Sequence, residues 1–235
     1  MKFNKKLLQG TLIKRYKRFF ADIKYKNKTI TAHCPNSGSM MGLIDKGNKV
    51  WFSVSNNPER KLKYTLEIIE VKNEKVGINT FLTNKIVFEA LGNKKISSLI
   101  KFKNIKREVK FSDKTRFDFF LSNDKEKCFL EVKNVTLLRE KKIAEFPDAV
   151  TSRGTKHLNE LCKAKKEGYQ SYILYLIQRD DCDSFKIAED IDKKYKIRVF
   201  DIDRSDDDIQ AIHERVIQCN DYINQRLKDL KIKLK

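Results

Sequence analysis

The sequence predicts a small β-barrel followed by a mixed α/β domain, and three patterns carry this prediction. Short strand-like runs recur through residues 1–81 with few helix signals. From Thr83 the apolar spacing changes to that of a helix, and a two-stranded hairpin, a helix and a buried strand follow. The 235 residues suffice for two small domains, and 40% hydrophobic content with 15 Phe provides a core.

The charge balance favours a polyanionic partner. Lys and Arg number 51 against 32 Asp and Glu, which gives a net charge of +19. Nucleic acid is the partner that such a field predicts, although many lysines would equally serve as a solvated surface. The chain lacks an apolar run of about 18–20 residues and an apolar leader, so neither a membrane partner nor export is expected. Five cysteines without a C-x-x-C pair indicate the reducing cytoplasm, with no disulfide framework or zinc site.

Residues 1–81 are predicted to form a small barrel of the OB type. Strands at short intervals with turn residues between them are typical of that architecture. The predicted strands are Leu12–Tyr16, Phe20–Tyr25, Thr29–His33, Val50–Ser55, Tyr64–Val71 and Val76–Ile78.

The same region carries the candidate nucleic-acid-binding residues of the first domain. Residues 1–28 contain ten lysines or arginines and one acid, with aromatic residues interleaved, a mixture found in single-strand binders. The aromatic residues would equally fill a barrel core. In the segment HCPNSGSMMGL, backbone N–H groups of the turn are candidates for an anion site, although ordinary turn chemistry explains them as well. The candidates are Lys14, Arg15, Lys17, Arg18, His33 and Asn36.

Residues 82–235 are predicted to form a mixed-sheet domain. A helix from Thr83 ends at Gly92 and carries Glu89, an acid that would add to a metal site or be solvated. Residues 94–110 are interpreted as a basic connector. The runs RFDFFL and CFLEVKNV then flank Ser122–Lys127 as the strands of a hairpin.

The hairpin holds the candidate catalytic residues. If its strands pair symmetrically, Asp118 faces Glu131, and Lys133 lies on the same sheet face. Because like charges opposite each other are destabilising, a cation is expected between the two acids. Two carboxylates holding Mg²⁺ or Mn²⁺ beside a lysine form an arrangement that cleaves phosphodiesters. A charged face on an exposed hairpin would show the same residues.

A second helix is predicted in FPDAVTSRGTKHLNEL, capped by Thr151 or Ser152 and ending near Gly168. Cations near a helix N-terminus are unfavourable unless an anion also binds there. The first turns of this helix are therefore a candidate phosphate site, and a solvated basic face is the alternative. The candidates there are Arg153, Lys156 and His157. Residues 169–178 are predicted to be a buried strand. A strand at 197–202 and a long helix after Ser205, which suits packing or a homodimer, complete the chain.

Several of these segments together resemble the sugar fermentation stimulation protein A family. The carrying motifs are TLIKRYKRFFADI, HCPNSGSMMGL, VWFSVSNNPERKLKYT, TRFDFFL, CFLEVKNVTL and FPDAVTSRGTKHLNEL, in order over about residues 7–178. The resemblance implies an OB-like first domain and a second domain of the PD-(D/E)XK nuclease type. It also implies DNA binding, in a family described as regulating sugar, notably maltose, metabolism.

Carried over residue by residue, Asp118 matches the aspartate of R-x-D-F, and Glu131 and Lys133 match E-V-K. Arg116, in the same R-x-D-F segment, is a further candidate for binding nucleic-acid phosphate. Beyond about Tyr195 the resemblance weakens. Three hypotheses follow: a DNA-binding protein with a nuclease-like metal site, an active Mg²⁺- or Mn²⁺-dependent nuclease, and a nucleic-acid scaffold with a relic site.

Overall fold

The structure is a computed structural model that describes Phe3 and residues 6–196. These residues include two helices and thirteen strands, with a short 3-10 helix at Ser97–Leu99. The helices are α1 (Thr80–Gly92) and α2 (Ser152–Lys166). The strands are β1 (Leu8–Tyr16), β2 (Phe20–Tyr25), β3 (Lys28–His33), β4 (Lys49–Val54), β5 (Tyr64–Val71), β6 (Glu74–Gly77), β7 (Asn104–Ser112), β8 (Thr115–Ser122), β9 (Lys127–Val135), β10 (Leu137–Glu140), β11 (Lys142–Phe146), β12 (Gln170–Ile177) and β13 (Cys182–Ile187).

The first six strands form the predicted OB barrel. Their order is β3-β2-β1-β4-β5-β6, and a parallel pairing of β3 with β5 closes the first five into a barrel. Alternate residues of these strands point inwards, as period-two sequences require. The core includes Leu12, Ile23, Val50, Phe52 and Ile69, each at most 1% exposed. The predicted boundary between residues 81 and 82 falls in the first turn of α1, and the division into domains at that point stays a prediction.

The second region contains the predicted mixed sheet, in the order β12-β9-β8-β7. Strand β12 pairs with β9 in parallel, and the other two pairings are antiparallel. Helix α1 packs its apolar residues on one face of this sheet, and α2 packs on the other. A smaller sheet, β10-β11-β13, lies beyond β9 in the chain.

The hairpin has the predicted register from Phe119 to Ser122, whereas the predicted pair of Asp118 with Glu131 is not among its paired residues. Leu121 pairs with Cys128 and Phe120 with Phe129, and the turn at 123–126 is held by Asn123. Helix α2 begins at the predicted cap, because the Thr151 hydroxyl accepts the backbone N–H of Gly154.

Four strands were not predicted, and one of them corrects the interpretation of residues 94–110. That basic segment contains most of β7, which is largely exposed along its length. Charged residues are what a sheet-edge strand tolerates, so its composition hid the strand. The strands β10, β11 and β13 have four to six residues each and gave no clear periodicity.

The predicted strand at 197–202 and the helix after Ser205 lie outside the described residues. Within residues 6–196 no helix is long and apolar enough to cross a membrane. The cysteines at 34, 128, 162 and 182 are not in disulfides.

Candidate metal and nucleic-acid site

A cleft of about 600 Å³ lies between the barrel and the second region. Its walls come from the loop after β3, the start of α1, the middle of β8, the second half of β9, and the segment between β11 and α2. The cleft is lined by predicted site residues that are far apart in the chain, namely Arg15, Arg18, Asn36, Asp118, Glu131, Lys133 and Arg153.

Arg15 shapes the barrel side of this cleft. Its guanidinium donates to the backbone oxygens of Asn36 and Gly38, both at 2.9 Å. The buried Asn36 side chain accepts the Gly38 N–H and donates to the Ile78 carbonyl. Arg15 and Asn36 therefore stabilise the conformation of this turn, and most of their hydrogen-bond donors have acceptors within the protein.

The second region closes on that turn through Asp148. Its carboxylate accepts the backbone N–H of Met40 at 2.9 Å, and its carbonyl accepts the Ser39 hydroxyl at 2.6 Å. A Cβ on Gly38 would approach the Asp148 carboxylate to 2.5 Å, so a larger residue there would displace that carboxylate. These contacts fix the cleft width, and sequence reasoning did not single out Asp148.

Asp118 reaches the cleft at an irregularity in β8. Phe117 packs with the α2 side of the sheet, whereas Phe119 stacks against α1. Strict alternation would place these two rings on the same face. The change occurs at Asp118, so its side chain lies near the plane of the sheet, between the two layers.

Two donors hold the Asp118 carboxylate there. Oδ1 accepts the side-chain amide of Asn84 on α1, and Oδ2 accepts the backbone N–H of Val132, both at 2.7 Å. Burial, with the negative charge of Glu131 adding to it, raises the Asp118 pKa to about 6 against the opposing effect of these donors and of Lys133. Asn84 was missed because an amide on a mostly apolar helix gives no sequence signal of its own.

Glu131 is more deeply buried, with 4% of its surface exposed. Its Oε1 is 2.6 Å from the Lys133 ammonium and 2.5 Å from Nδ1 of His157. Burial acts to raise the pKa of Glu131, but His157 and Lys133 outweigh it and the pKa is lowered. Among the described residues, its second oxygen, Oε2, has no hydrogen-bond partner. A buried charged oxygen without a partner is expensive, and it calls for a ligand.

The two acids fit a hard divalent cation. Ions of this kind take oxygen ligands and usually retain several waters, so two carboxylates can hold one. Glu131 offers the unpartnered Oε2, and Asp118 retains lone pairs because each of its oxygens accepts one bond. Across residues 6–196, no group of three or more His, Cys, Asp or Glu side chains is arranged for a metal. The remaining ligands would therefore be backbone, substrate or water oxygens.

Glu89, the third acid of the sequence prediction, is not among the residues that line the cleft. It follows Asn84 by more than one helical turn, and Asn84 is the α1 residue that contacts Asp118. We therefore leave Glu89 out of the proposed site.

A second, basic cavity of about 840 Å³ adjoins the cleft. Arg153 lines both cavities, and His157 connects them because its ring lines the basic cavity while Nδ1 contacts Glu131. His157 is 6% exposed, so its main contact is this carboxylate. The cations of the basic cavity are Lys110, Lys114, Arg116, Arg153 and Lys156.

The barrel cations occupy the outer surface of β1 and its turn. Lys14 lies over the Tyr16 ring and near Asp22, at 3.8 Å. Lys17 and Arg18 form the β1–β2 turn in left-handed conformations, with φ of 47° and 61°. His33, at the end of β3, lies 3.4 Å from the Arg60 guanidinium.

A closed OB barrel joined to a second region built on a mixed sheet defines the class of this protein. The profile described as the SfsA N-terminal OB domain matches residues 13–78, and that described as the sugar fermentation stimulation protein RE domain matches residues 81–214. The chain belongs to the sugar fermentation stimulation protein family.

Relatives and a solved structure agree with this assignment. A sugar fermentation stimulation protein homolog of Pelagibacter ubique (strain HTCC1062) is 57% identical over 195 residues, covering 83% of this chain and 84% of the relative. The homolog of Bartonella quintana (strain Toulouse) is 47% identical over 204 residues, covering 86% and 87%. The structure of Pyrococcus furiosus SfsA in complex with Ca²⁺ has a TM-score of 0.78 at 24% identity, covers 85% of this chain and 84% of its own, and shows the shared fold.

Proposed function

We propose that this chain is a DNA-binding protein that holds a divalent cation between Asp118 and Glu131. The observation that carries the proposal is the unpartnered, buried Oε2 of Glu131 at a cleft that Asp118 and Lys133 also line. A structural ion pair would satisfy both oxygens, whereas a cation site leaves one available. The Pyrococcus furiosus protein, whose structure is a complex with Ca²⁺, supports a metal in this fold.

The DNA part of the proposal depends on the cations around the cleft. Arg153 lines the cleft together with the acid pair, the other basic-cavity cations line the cavity that adjoins it, and Arg18 lies on the barrel side. Phosphate contacts of this kind make affinity fall steeply with salt. Regulation of sugar or maltose metabolism would act through this DNA binding.

A second candidate, phosphodiester hydrolysis, is favoured by the position of Lys133. Its ammonium is 2.6 Å from Glu131 and lines the cleft, where it would stabilise negative charge on a bound phosphate. A bound Mg²⁺ or Mn²⁺ would supply a water of lowered pKa and offset phosphate charge. Asp118 and Glu131 would hold it, His157 would fix the orientation of Glu131, and Arg153 would position the DNA backbone.

One experiment tests both candidates. Purified protein is mixed with labelled single- and double-stranded DNA, each with Mg²⁺, Mn²⁺, Ca²⁺ or EDTA, while binding and cleavage are recorded. Calorimetry with Ca²⁺ and with Mn²⁺ measures the cation alone. The variants are Asp118→Asn and Lys133→Met, and the matched control is Glu126→Gln, an acid at the loop end of the same hairpin that pairs with Lys101.

We expect cation binding in the wild type and in Glu126→Gln, and at least a tenfold loss in Asp118→Asn. Metal-dependent cleavage that disappears in Asp118→Asn and Lys133→Met establishes the nuclease. DNA binding without cleavage in every condition leaves the binding protein and rejects the enzyme. A wild type that binds neither cation nor DNA at low salt overturns the whole proposal.

A further inference from the structure

Three aromatic rings form an exposed row at the junction of the two regions. The rings of Phe19 and His33 lie 6.5 Å apart at an interplanar angle of 25°. The rings of His33 and Phe81 lie 6.0 Å apart at 30°. The first two rings belong to the barrel and the third to α1, so the row spans both regions.

The backbone presents these rings outwards for separate local reasons. Phe19 ends the β1–β2 turn, whose left-handed residues Lys17 and Arg18 precede it. His33 pairs with Phe20 across β2 and β3, on the outer surface of the barrel. Phe81 lies in the first turn of α1, where its N–H is accepted by the Asn79 cap. Three independent elements thus converge on one surface.

The row is not part of the core. Phe81 is 67% exposed and Phe19 is 44% exposed. Other phenylalanines at the surface are covered on one side; Phe88, for example, stacks on Phe119 and lies under Arg107. Near-parallel rings open to solvent present flat apolar faces, which are suited to flat ligands.

The charges around the row indicate what those ligands are. Arg60 contacts the His33 ring, and Lys17 and Arg18 directly precede Phe19 in the chain. Burial, together with Arg60, lowers the pKa of His33, so the ring is neutral near pH 7 and stacks as an aromatic. Apolar faces bordered by cations are complementary to nucleobases joined by phosphates.

The row also adjoins the candidate site. Arg18 and Thr80 line the cleft, and their chain neighbours Phe19 and Phe81 belong to the row. A strand whose phosphate lies beside Asp118 and Glu131 would therefore pass the rings as it leaves.

We propose that Phe19, His33 and Phe81 form a stacking platform for unpaired bases, which gives this protein a preference for single-stranded DNA. The proposal rests on the proposed DNA binding and adds the strand type. In a duplex the bases are already stacked on one another, so only an unpaired strand offers their faces to the rings. Stacking is sequence-tolerant, because every base has a π face.

The test separates base stacking from phosphate attraction. Anisotropy titrations in EDTA compare a labelled single strand of about 16 nucleotides, its duplex, and an abasic strand of the same length and charge. The variants are Phe81→Ala, the double variant Phe19→Ala with Phe81→Ala, and Phe81→Trp, which keeps a flat ring. Phe88→Ala, at an exposed phenylalanine of the same helix outside the row, is the matched control.

The wild type is expected to bind the single strand about tenfold more tightly than the abasic strand. Phe81→Ala should remove most of that difference, the double variant should abolish it, and Phe81→Trp and Phe88→Ala should retain it. Abasic binding should change less than about twofold in all variants, since the phosphate contacts are intact. Equal binding of single and abasic strands by the wild type would overturn the platform while leaving DNA binding in place. No binding to any of the three probes at low salt would overturn both.

Discussion

Two buried glutamates in the same cleft illustrate the difference between a structural ion pair and a site awaiting a ligand. Glu145 on β11 is 1% exposed, and both its oxygens are bound by Arg139, at 2.7 and 2.8 Å. Glu131 on β9 is 4% exposed, yet its two donors share one oxygen and the other has no partner among the described residues. The two glutamates are therefore buried to a similar degree, but among the described residues Glu145 has partners on both carboxylate oxygens and Glu131 has partners on one.

The pKa directions express the same contrast. The Arg139 hydrogen bonds are the largest influence on Glu145 and lower its pKa. At Glu131 burial is the largest influence and opposes the charged form, although His157 and Lys133 together outweigh it. Beside Glu131, Asp118 has a pKa raised to about 6, whereas Glu145 is surrounded by Arg139 and Lys186. Acids placed close to each other without full compensation are typical of functional sites.

The largest expected effect is on the structural pair. Arg139→Ala leaves Glu145 buried, with the Lys186 ammonium 3.5 Å away, and should lower the free energy of unfolding by about 3 kcal/mol. Chemical denaturation followed by circular dichroism measures the loss. The control Lys142→Ala breaks an exposed pair with Asp183, both 64% exposed, and should stay within about 0.5 kcal/mol. A loss below about 1 kcal/mol in Arg139→Ala would show that the pair at Glu145 is not structural.

The second-largest expected effect is the dependence of stability on pH that Asp118 causes, and it is measured in EDTA. The folded pKa is about 6 and the ordinary value is 3.8, so the folded state binds the proton more tightly than the unfolded state. Stability therefore falls as pH rises from about 4 to about 7, by about 2–3 kcal/mol from this group. The measurement is the free energy of unfolding of the wild type minus that of Asp118→Asn across this range.

That difference should become steadily less favourable to the wild type as pH rises. The control Glu126→Gln should not reproduce it, because Lys101 lowers the pKa of Glu126 and the sign is opposite. A difference that is flat between about pH 4 and 7 would mean that Asp118 is not destabilised by its surroundings.

The sequence was sufficient for the elements whose pattern and contacts are local. The barrel strands alternate apolar and polar residues, and the hairpin register follows from apolar runs that are symmetric about the turn at 123–126. Strand β7 was missed because it is an exposed edge with charged residues, and the β10-β11-β13 sheet because short strands carry little periodicity.

For the candidate site, spacing placed Asp118, Glu131 and Lys133 together, and all three line the cleft. The contact of Asn84 with Asp118 was not predictable, since it depends on how α1 packs on the sheet. The contact between Asp148 and Met40 was not predictable either, because the two residues are 108 positions apart in the chain. Periodicity defines faces of elements, whereas these contacts arise from the packing of whole regions against each other.

The smallest expected effect is that of Lys133 on cation binding at Glu131. Lys133 and a bound cation would neutralise the same carboxylate, so Lys133→Met should tighten Ca²⁺ binding by about fivefold, or about 1 kcal/mol. Calorimetry measures the affinity, with Lys142→Met as the control that should leave it unchanged. Weaker Ca²⁺ binding in Lys133→Met would mean that the lysine chiefly holds the Glu131 side chain in position. Glu131 would then resemble Glu145, whose role is structural, in spite of its unpartnered oxygen.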